Sequence, residues 1–213
     1  MQNKRNKFAT SDWHIGHGNA IIYDNRPFKD LDHMDRVLIN NYNSAVKEND
    51  ICYFLGDMGP DKERIKKVVA QLNGTKIFVV GNHDPGYNAM YELGFDVVMH
   101  GVVLYLGKHR VTMSHCPLMG ITRENVEGMR GIQEGDHWHG EHKNSQYSFK
   151  DEGQFHLHGH IHSPNSGKSV KILDRQFDVG CVANRYHPVS FSTIESWISV
   201  YINNENNNGK KSE

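Results

Sequence analysis

The stretch IFVVGNHDPG, residues 77–86, joins a short apolar run to a cluster of polar side chains. The apolar part is β-branched and aromatic, which predicts a buried strand ending at Val80. An amide, an imidazole and a carboxylate follow at Asn82, His83 and Asp84, and such groups are costly to bury without partners. Because ligands of α/β sheets bind beyond the carboxyl ends of the strands, we predict a functional site here.

The chain around this strand alternates between strand and helix patterns. Apolar runs predict strands, and apolar residues at helical spacing predict the helices between them. This alternation predicts right-handed crossovers and a parallel sheet. The predicted elements are strands at Lys7–Thr10, Ile51–Leu55 and Ile77–Val80, and helices at Asp30–Val46, Asp61–Leu72 and Pro85–Leu93.

The later part of the chain is richer in short strands and hairpins. Gly107-Lys108 between two apolar runs predicts a hairpin. A capping box at Ser192–Glu195 predicts a last helix ending near Ile202, within a single domain over residues 1–202. The Asn-rich tail 203–213 is predicted to be disordered. The predicted strands are Val97–Leu106, Arg110–Ser114, Phe155–Leu157, Val170–Leu173 and Gln176–Val179.

Five short segments place metal-binding side chains at or just after an apolar run. Side chains two apart in an extended segment point the same way, so each D-x-H or H-x-H pair would face one site. Each segment alone is weak evidence; a lone Gly-Asp is usually a turn. Chance is a poor explanation for all five together. They are Asp12-Trp13-His14, Gly56-Asp57, Gly81-Asn82-His83-Asp84, Ser114-His115 and Gly159-His160-Ile161-His162.

The composition restricts the class of protein. A chain of 213 residues with 37% hydrophobic content can bury a sizeable core. A formal net charge of -1 argues against non-specific binding of long nucleic acid, which needs a basic face. No apolar run reaches the length of about 20 residues that crosses a bilayer. We therefore expect no membrane partner. Three widely spaced cysteines predict no disulfide framework, so we expect a cytoplasmic protein.

In this order the five segments resemble the motifs of the calcineurin-like metallophosphoesterase family. Those motifs are D-x-H, G-D, G-N-H-D or G-N-H-E, a lone His, and G-H-x-H. The stretch SDWHIGHGNAIIYDNRPF, residues 11–28, is similar to the small bacterial and phage phosphoesterases of that family. The resemblance implies an α/β (α+β) fold, a four-layer β-sandwich flanked by helices.

The resemblance also implies two divalent metal ions with a bridging hydroxide. Mixed imidazole and oxygen ligands suit Mn²⁺, Fe, Zn²⁺, Ni²⁺ or Co²⁺. Two carboxylates against four positive charges would leave a site that attracts phosphate. Bound metal lowers the pKa of water to about 7, so hydroxide exists at neutral pH. By resemblance, Asp12, His14, Asp57 and His162 hold one ion, and Asp57, Asn82, His115 and His160 hold the other, with Asp57 bridging.

Four more residues would complete a catalytic site of this family. His83 would stabilise the transition state or protonate the leaving oxygen, and Asp84 would hold the His83 ring. Arg26 could clamp a phosphate oxygen, or be a surface arginine before a proline turn. His17 could contact substrate or support a ligand. Cys116, directly after the lone His, reads as a small buried neighbour and not as a nucleophile.

The predicted function is dinuclear-metal-dependent hydrolysis of a phosphoester. Neutral charge favours a small-molecule or nucleotide phosphodiesterase or phosphatase over a nuclease acting on DNA or RNA, which stays as the alternative. A non-catalytic scaffold of the same fold is disfavoured because every motif residue is present. The polar segment 119–154 is long for a loop, and we predict a lid-like insertion there.

Overall fold

The computed structural model describes residues 5–118, 145–163, 172–173 and 175–209. Residues 119–144, most of the predicted lid-like segment, lie outside this part, as do residues 210–213 of the tail. Within the described residues the fold is mixed α/β, with two five-stranded sheets and five α-helices. The predicted α/β (α+β) class is confirmed at this level.

The two sheets are both mixed in strand direction. In the described residues the strands are β1 (Lys7–Thr10), β2 (Ile51–Phe54), β3 (Thr75–Val79), β4 (Val97–Met99), β5 (Val102–Leu106), β6 (His109–Met113), β7 (Phe155–His158), β8 (Ile172–Leu173), β9 (Gln176–Asp178) and β10 (Val189–Ser190). The first sheet has the order β10-β1-β2-β3-β4, with β1 to β4 parallel. The second has the order β5-β6-β7-β9-β8, with β6, β7 and β9 parallel.

Three of the described helices lie at predicted positions, whereas the first was not predicted and the last differs in its bounds. Asp30 and Asp61 cap α2 (Leu31–Ala45) and α3 (Lys62–Val69) by accepting backbone N–H bonds, as N-cap carboxylates do. The unpredicted helix is α1 (Gly18–Tyr23), which is six residues long and carries no side-chain cap. The helices are α1 (Gly18–Tyr23), α2 (Leu31–Ala45), α3 (Lys62–Val69), α4 (Tyr87–Glu92) and α5 (Phe191–Gly209).

Side chains of the first sheet alternate between two hydrophobic cores. In β2, Cys52 and Phe54 belong to a core shared with α2, α3 and α4. Tyr53 and the following Leu55 belong to a second core, shared with the second sheet and α5. This alternation follows from the pleat of a strand. Burial on both faces explains why the central strands are continuous apolar runs.

The predicted strand Val97–Leu106 is wrong as a single element. The chain leaves the first sheet after Met99 and enters the second sheet at Val102. Between them, a Cβ added to Gly101 would lie 2.7 Å from the ring of Phe149, so a larger residue there would require that ring to move. An apolar run carries no signal that its two halves belong to different sheets.

The C-terminal helix also differs from its prediction. It begins at Phe191, and Ser190 accepts a hydrogen bond from the backbone of Thr193, so the cap is Ser190 and not Ser192. It continues to Gly209, so the predicted disorder is wrong for residues 203–209. We attribute this to propagation, since each residue added to an existing helix gains a backbone hydrogen bond. Among the described helices, none has the length and apolar character to cross a membrane.

Candidate metal centre

The five predicted segments all follow the carboxyl ends of strands. Those strands are β1, β2 and β3 of the first sheet and β6 and β7 of the second. The loops after β1 and β2 are joined by backbone hydrogen bonds, including one from the N–H of His14 to the carbonyl of Asp57. The two sheets therefore bring their motif loops to one place, as the sequence predicted.

Three side chains converge on one point at this place. The Nε2 atoms of His14 and His162 lie 3.0 Å apart, and His162 Nε2 lies 3.7 Å from Oδ1 of Asp12. Ligands at right angles about an ion, each about 2.1 Å from it, are about 3.0 Å apart. We call Asp12, His14 and His162 the first ligand group; their ligand atoms all lie within 4.8 Å of one another.

A second set converges beside the first. His115 Nε2 lies 2.8 Å from Oδ1 of Asn82 and 3.2 Å from Nδ1 of His160. The other ring nitrogen of His115 donates to the carbonyl of Leu55, which turns Nε2 toward the site. We call Asn82, His115 and His160 the second ligand group.

Asp57 lies between the two groups. Its Oδ2 is 3.8 Å from His14 Nε2, and its Oδ1 is 3.3 Å from His115 Nε2. Each group therefore faces a different oxygen of one carboxylate. The seven residues predicted as ligands thus lie close together, and Asp12 also has a ligand atom within 4.8 Å of ligand atoms of Asp57 and His115. The donors are three oxygen-bearing and four imidazole side chains, a mixture that fits a divalent transition ion.

The backbone of these loops corrects one prediction. Asp12, His14, Asp57, His160 and His162 all have positive φ, between 46° and 71°. That left-handed conformation is uncommon for residues other than glycine. Each pair two residues apart shares a site because the chain turns tightly, and not because it is extended as predicted.

Close packing of two loops explains one of the motif glycines. A Cβ added to Gly81 would lie 2.5 Å from Oδ1 of Asp57. Any larger side chain would push on the carboxylate that both ligand groups share. Glycine here permits close approach of the G-N-H-D loop (Gly81–Asp84) to the G-D loop (Gly56-Asp57).

Burial and neighbouring charges set the charge states of the side chains in the two ligand groups. Burial lowers the pKa of His160 to about 3 and lowers that of His14 as well, so both rings are neutral and able to ligate. Burial raises the pKa of Asp12 to about 7. For His115, burial lowers the pKa, but the Asp57 carboxylate outweighs it and raises the pKa to about 10. Binding a cation beside these groups would release the His115 proton and favour ionised Asp12.

The predicted role of Arg26 as a phosphate clamp is wrong. Its side chain is fully buried, and its guanidinium donates to the carbonyls of Asp12 and Trp13 and to the carboxylate of Asp24. A group this enclosed cannot reach a substrate. These contacts hold the backbone of the D-x-H loop (Asp12-Trp13-His14) in place.

Asp24 is the site residue that sequence reasoning missed. Its Oδ1 lies 2.8 Å from Nδ1 of His162, on the side of the ring away from the ligand group. Burial would raise the pKa of Asp24, but the hydrogen bonds and charges of His162 and Arg26 outweigh it and lower the pKa to about 2. A carboxylate two residues before Arg26 was the available signal, but its partner is 138 residues away.

The two other histidines predicted at the site lie at its open side. The ring centroid of His83 is 6.3 Å from that of His14, and His83 is exposed. His17 is half-buried, with its ring centroid 5.6 Å from that of His14. Neither belongs to a ligand group, so both could contact a substrate.

Cys116 is buried, and burial raises the pKa of its thiol, which fits the prediction that it is no nucleophile.

Asp84 does not hold the His83 ring as predicted. Its carboxylate accepts backbone N–H bonds from Asp57, Met58 and Gly81. Burial raises the pKa of Asp84 to about 6. Asp84 therefore ties the G-D loop to the G-N-H-D loop.

We expect Asp84→Asn to lower the free energy of unfolding by about 2–3 kcal/mol. An amide has one acceptor oxygen, and its NH₂ group would face a backbone donor, so one or two buried N–H groups lose their partner. Urea denaturation of the metal-free chain measures this. Asp61→Asn is the matched control, because Asn caps a helix as well as Asp does. An unchanged urea midpoint for Asp84→Asn would contradict the bracing role.

Comparison with known proteins gives relatives whose names state no activity. No family model matches the chain. The structure of the Protein of Unknown Function AQ665 from Aquifex aeolicus is 24% identical, with a TM-score of 0.63 over 91% of this chain and 100% of that one, which supports the fold. Uncharacterized protein MJ1445 of Methanocaldococcus jannaschii is 43% identical over 144 residues, 57% of this chain and 80% of that protein. The Gene 66 protein of Mycobacterium phage L5 is 30% identical over 82% of this chain and 86% of its own length. The chain therefore belongs to the family that includes MJ1445 and the phage L5 Gene 66 protein.

Proposed function

We propose that this protein hydrolyses phosphoesters with the help of two divalent metal ions. The observation that carries the proposal is the position of Asp57, whose two oxygens face two separate sets of ligand atoms. One carboxylate shared in this way suits two neighbouring ions better than one. The order of the five motif segments, and their resemblance to calcineurin-like metallophosphoesterases, supports the same conclusion.

The architecture supports a calcineurin-like sandwich as the finer description of the fold. Two sheets share one core, and α2, α3 and α4 cover the other face of the first sheet. A four-layer β-sandwich flanked by helices is our proposal for the complete arrangement. The ligand groups lie where the strands of both sheets end.

Each set of residues would have a distinct task. When bound, the two ions would polarise phosphoryl oxygens and supply a nucleophilic water at neutral pH. The neutral rings of His14 and His160 would hold the ions without cancelling their charge. His83, at the open side, is placed to give a proton to the leaving oxygen, and His17 is placed to contact the phosphate. Small phosphodiesters or nucleotides are the substrates we propose.

Hydrolysis is expected to depend on a divalent metal. Dialysis against a chelator should abolish turnover of bis-p-nitrophenyl phosphate, because the ligand groups would lose their ions. Mn²⁺, Co²⁺, Zn²⁺, Ni²⁺ or Fe²⁺ should restore turnover, with elemental analysis giving about two ions per chain. A panel of nucleotides, phosphomonoesters and single-stranded DNA would then define the substrate.

Two results would contradict this proposal. Full turnover by a chain that holds no metal would exclude the mechanism. A chain that binds two ions but hydrolyses none of these esters would instead favour a non-catalytic binding protein.

A further inference from the structure

The hydrogen bond between Asp24 and His162 determines which ring nitrogen of His162 carries the proton. A carboxylate accepts hydrogen bonds, so ionised Asp24 takes the Nδ1–H of His162 at 2.8 Å. The ring then carries its lone pair on Nε2. That atom points toward His14 and Asp12 in the first ligand group. The carboxylate thus selects the tautomer that can bind a cation.

Arg26 fixes Asp24 in this role. Its Nε and Nη2 hold Oδ2 of Asp24 at 2.9 and 2.7 Å, which leaves Oδ1 for His162. The same guanidinium donates to the carbonyls of Trp13 and Asp12 at 2.9 and 3.1 Å. One buried cation therefore connects the orientation of His162 to the backbone of the D-x-H loop. A planar fork of donors makes these contacts together, which a lysine could not.

We propose that Asp24, held by Arg26, is the positioning residue of the first ligand group and sets the affinity of that group for its ion. This inference rests on the proposed function, since it assigns a task within the same site. It predicts that the two ions respond differently to a change at residue 24. The second ligand group has its own orienting contact, from His115 to the carbonyl of Leu55, and should not respond.

Asp24→Asn tests the proposal with little change in shape. The amide must turn its oxygen to Arg26 or to His162, and its NH₂ group then faces the other. Toward His162, an NH₂ group favours the tautomer with its proton on Nε2, which cannot ligate. Loss of such an outer contact typically weakens metal affinity by about 10–100-fold.

Calorimetric titration of the metal-free chain with Co²⁺, in variants that keep one ligand group, measures each group separately. His160→Ala isolates the first group, and His14→Ala isolates the second. Asp24→Asn should weaken Co²⁺ binding about 10–100-fold in the His160→Ala background and leave it unchanged in the His14→Ala background. Asp32→Asn, at an exposed carboxylate paired with Arg64, is the matched control and should change neither affinity.

The outcomes separate the possible explanations. Equal weakening in both backgrounds would show a general loosening of the fold and overturn the proposal, as would no weakening in either. If Asp24→Asn does not fold by circular dichroism, Arg26→Lys takes its place, since it keeps a cation beside Asp24; it should weaken the same group selectively. If the wild-type chain binds no Co²⁺, the proposed function and this inference are both overturned. If Asp24→Asn binds two ions with unchanged affinity, this inference alone is overturned.

Discussion

The Asp57→Asn variant is expected to hold well below two divalent ions per chain and to lose turnover by about 10³-fold or more. An amide offers one neutral oxygen, so it cannot present an oxygen to each ligand group as Asp57 does. Polarisation by bound ions is worth several kcal/mol of transition-state stabilisation, and each 1.36 kcal/mol is a factor of ten in rate.

The matched control is Asp50→Asn, at the other end of the same strand. Asp50 is buried and precedes β2, where its carboxylate accepts backbone N–H bonds from Asn6 and Lys47. It contacts neither ligand group in the described structure, so this variant should keep two ions and its turnover even if it melts earlier. Elemental analysis after gel filtration, with turnover of bis-p-nitrophenyl phosphate, measures both. Two bound ions per chain in Asp57→Asn would show that Asp57 does not bridge the two ions.

The sequence predicted the positions of the candidate ligand residues because they follow local patterns. Apolar runs mark the strands, and β1 has the predicted bounds. Parallel strands carry whatever follows their carboxyl ends to one edge of the sheet. Seven candidate ligand residues could therefore be placed together from the order of the motifs.

The residues that support the ligands were not predictable in the same way. Asp24 meets His162 across 138 residues, and burial of Arg26 depends on the packing of the D-x-H loop. A single sequence gives no signal for such pairs. The roles expected for Arg26 and Asp84 were both substrate or ring contacts, whereas both side chains hold backbone in place.

The left-handed backbone conformation of the candidate ligand residues was also not predictable from the sequence. Eight described residues other than glycine have positive φ, and five of them are ligands in our proposal. Such conformations cost about 1–3 kcal/mol each and persist where the surroundings impose them. Here backbone hydrogen bonds between loops, and the contacts of Arg26 and Asp84, supply that constraint. Their concentration at one place supports a site whose ligand geometry is fixed before an ion binds.

His83→Ala is expected to keep both ions and to lose turnover by about 10²–10⁴-fold. The His83 ring is exposed and lies outside both ligand groups, while its backbone N–H donates to Oδ1 of Asp57. Alanine keeps that N–H, so the bridging carboxylate should stay in place. His100→Ala is the matched control: His100 is exposed beside β4 and stacks on Tyr87, so its loss should leave turnover unchanged.

The size of the loss should depend on the leaving group if His83 donates a proton. p-Nitrophenolate leaves without protonation, whereas an alkoxide needs a proton as the bond to phosphorus breaks. His83→Ala should therefore slow an alkyl phosphodiester far more than bis-p-nitrophenyl phosphate, measured as kcat at saturating metal. An equal loss for both substrates would assign His83 to electrostatic stabilisation of the phosphoryl oxygens. No loss for either would remove His83 from the reaction and leave His17 as the remaining imidazole at the open side of the described site.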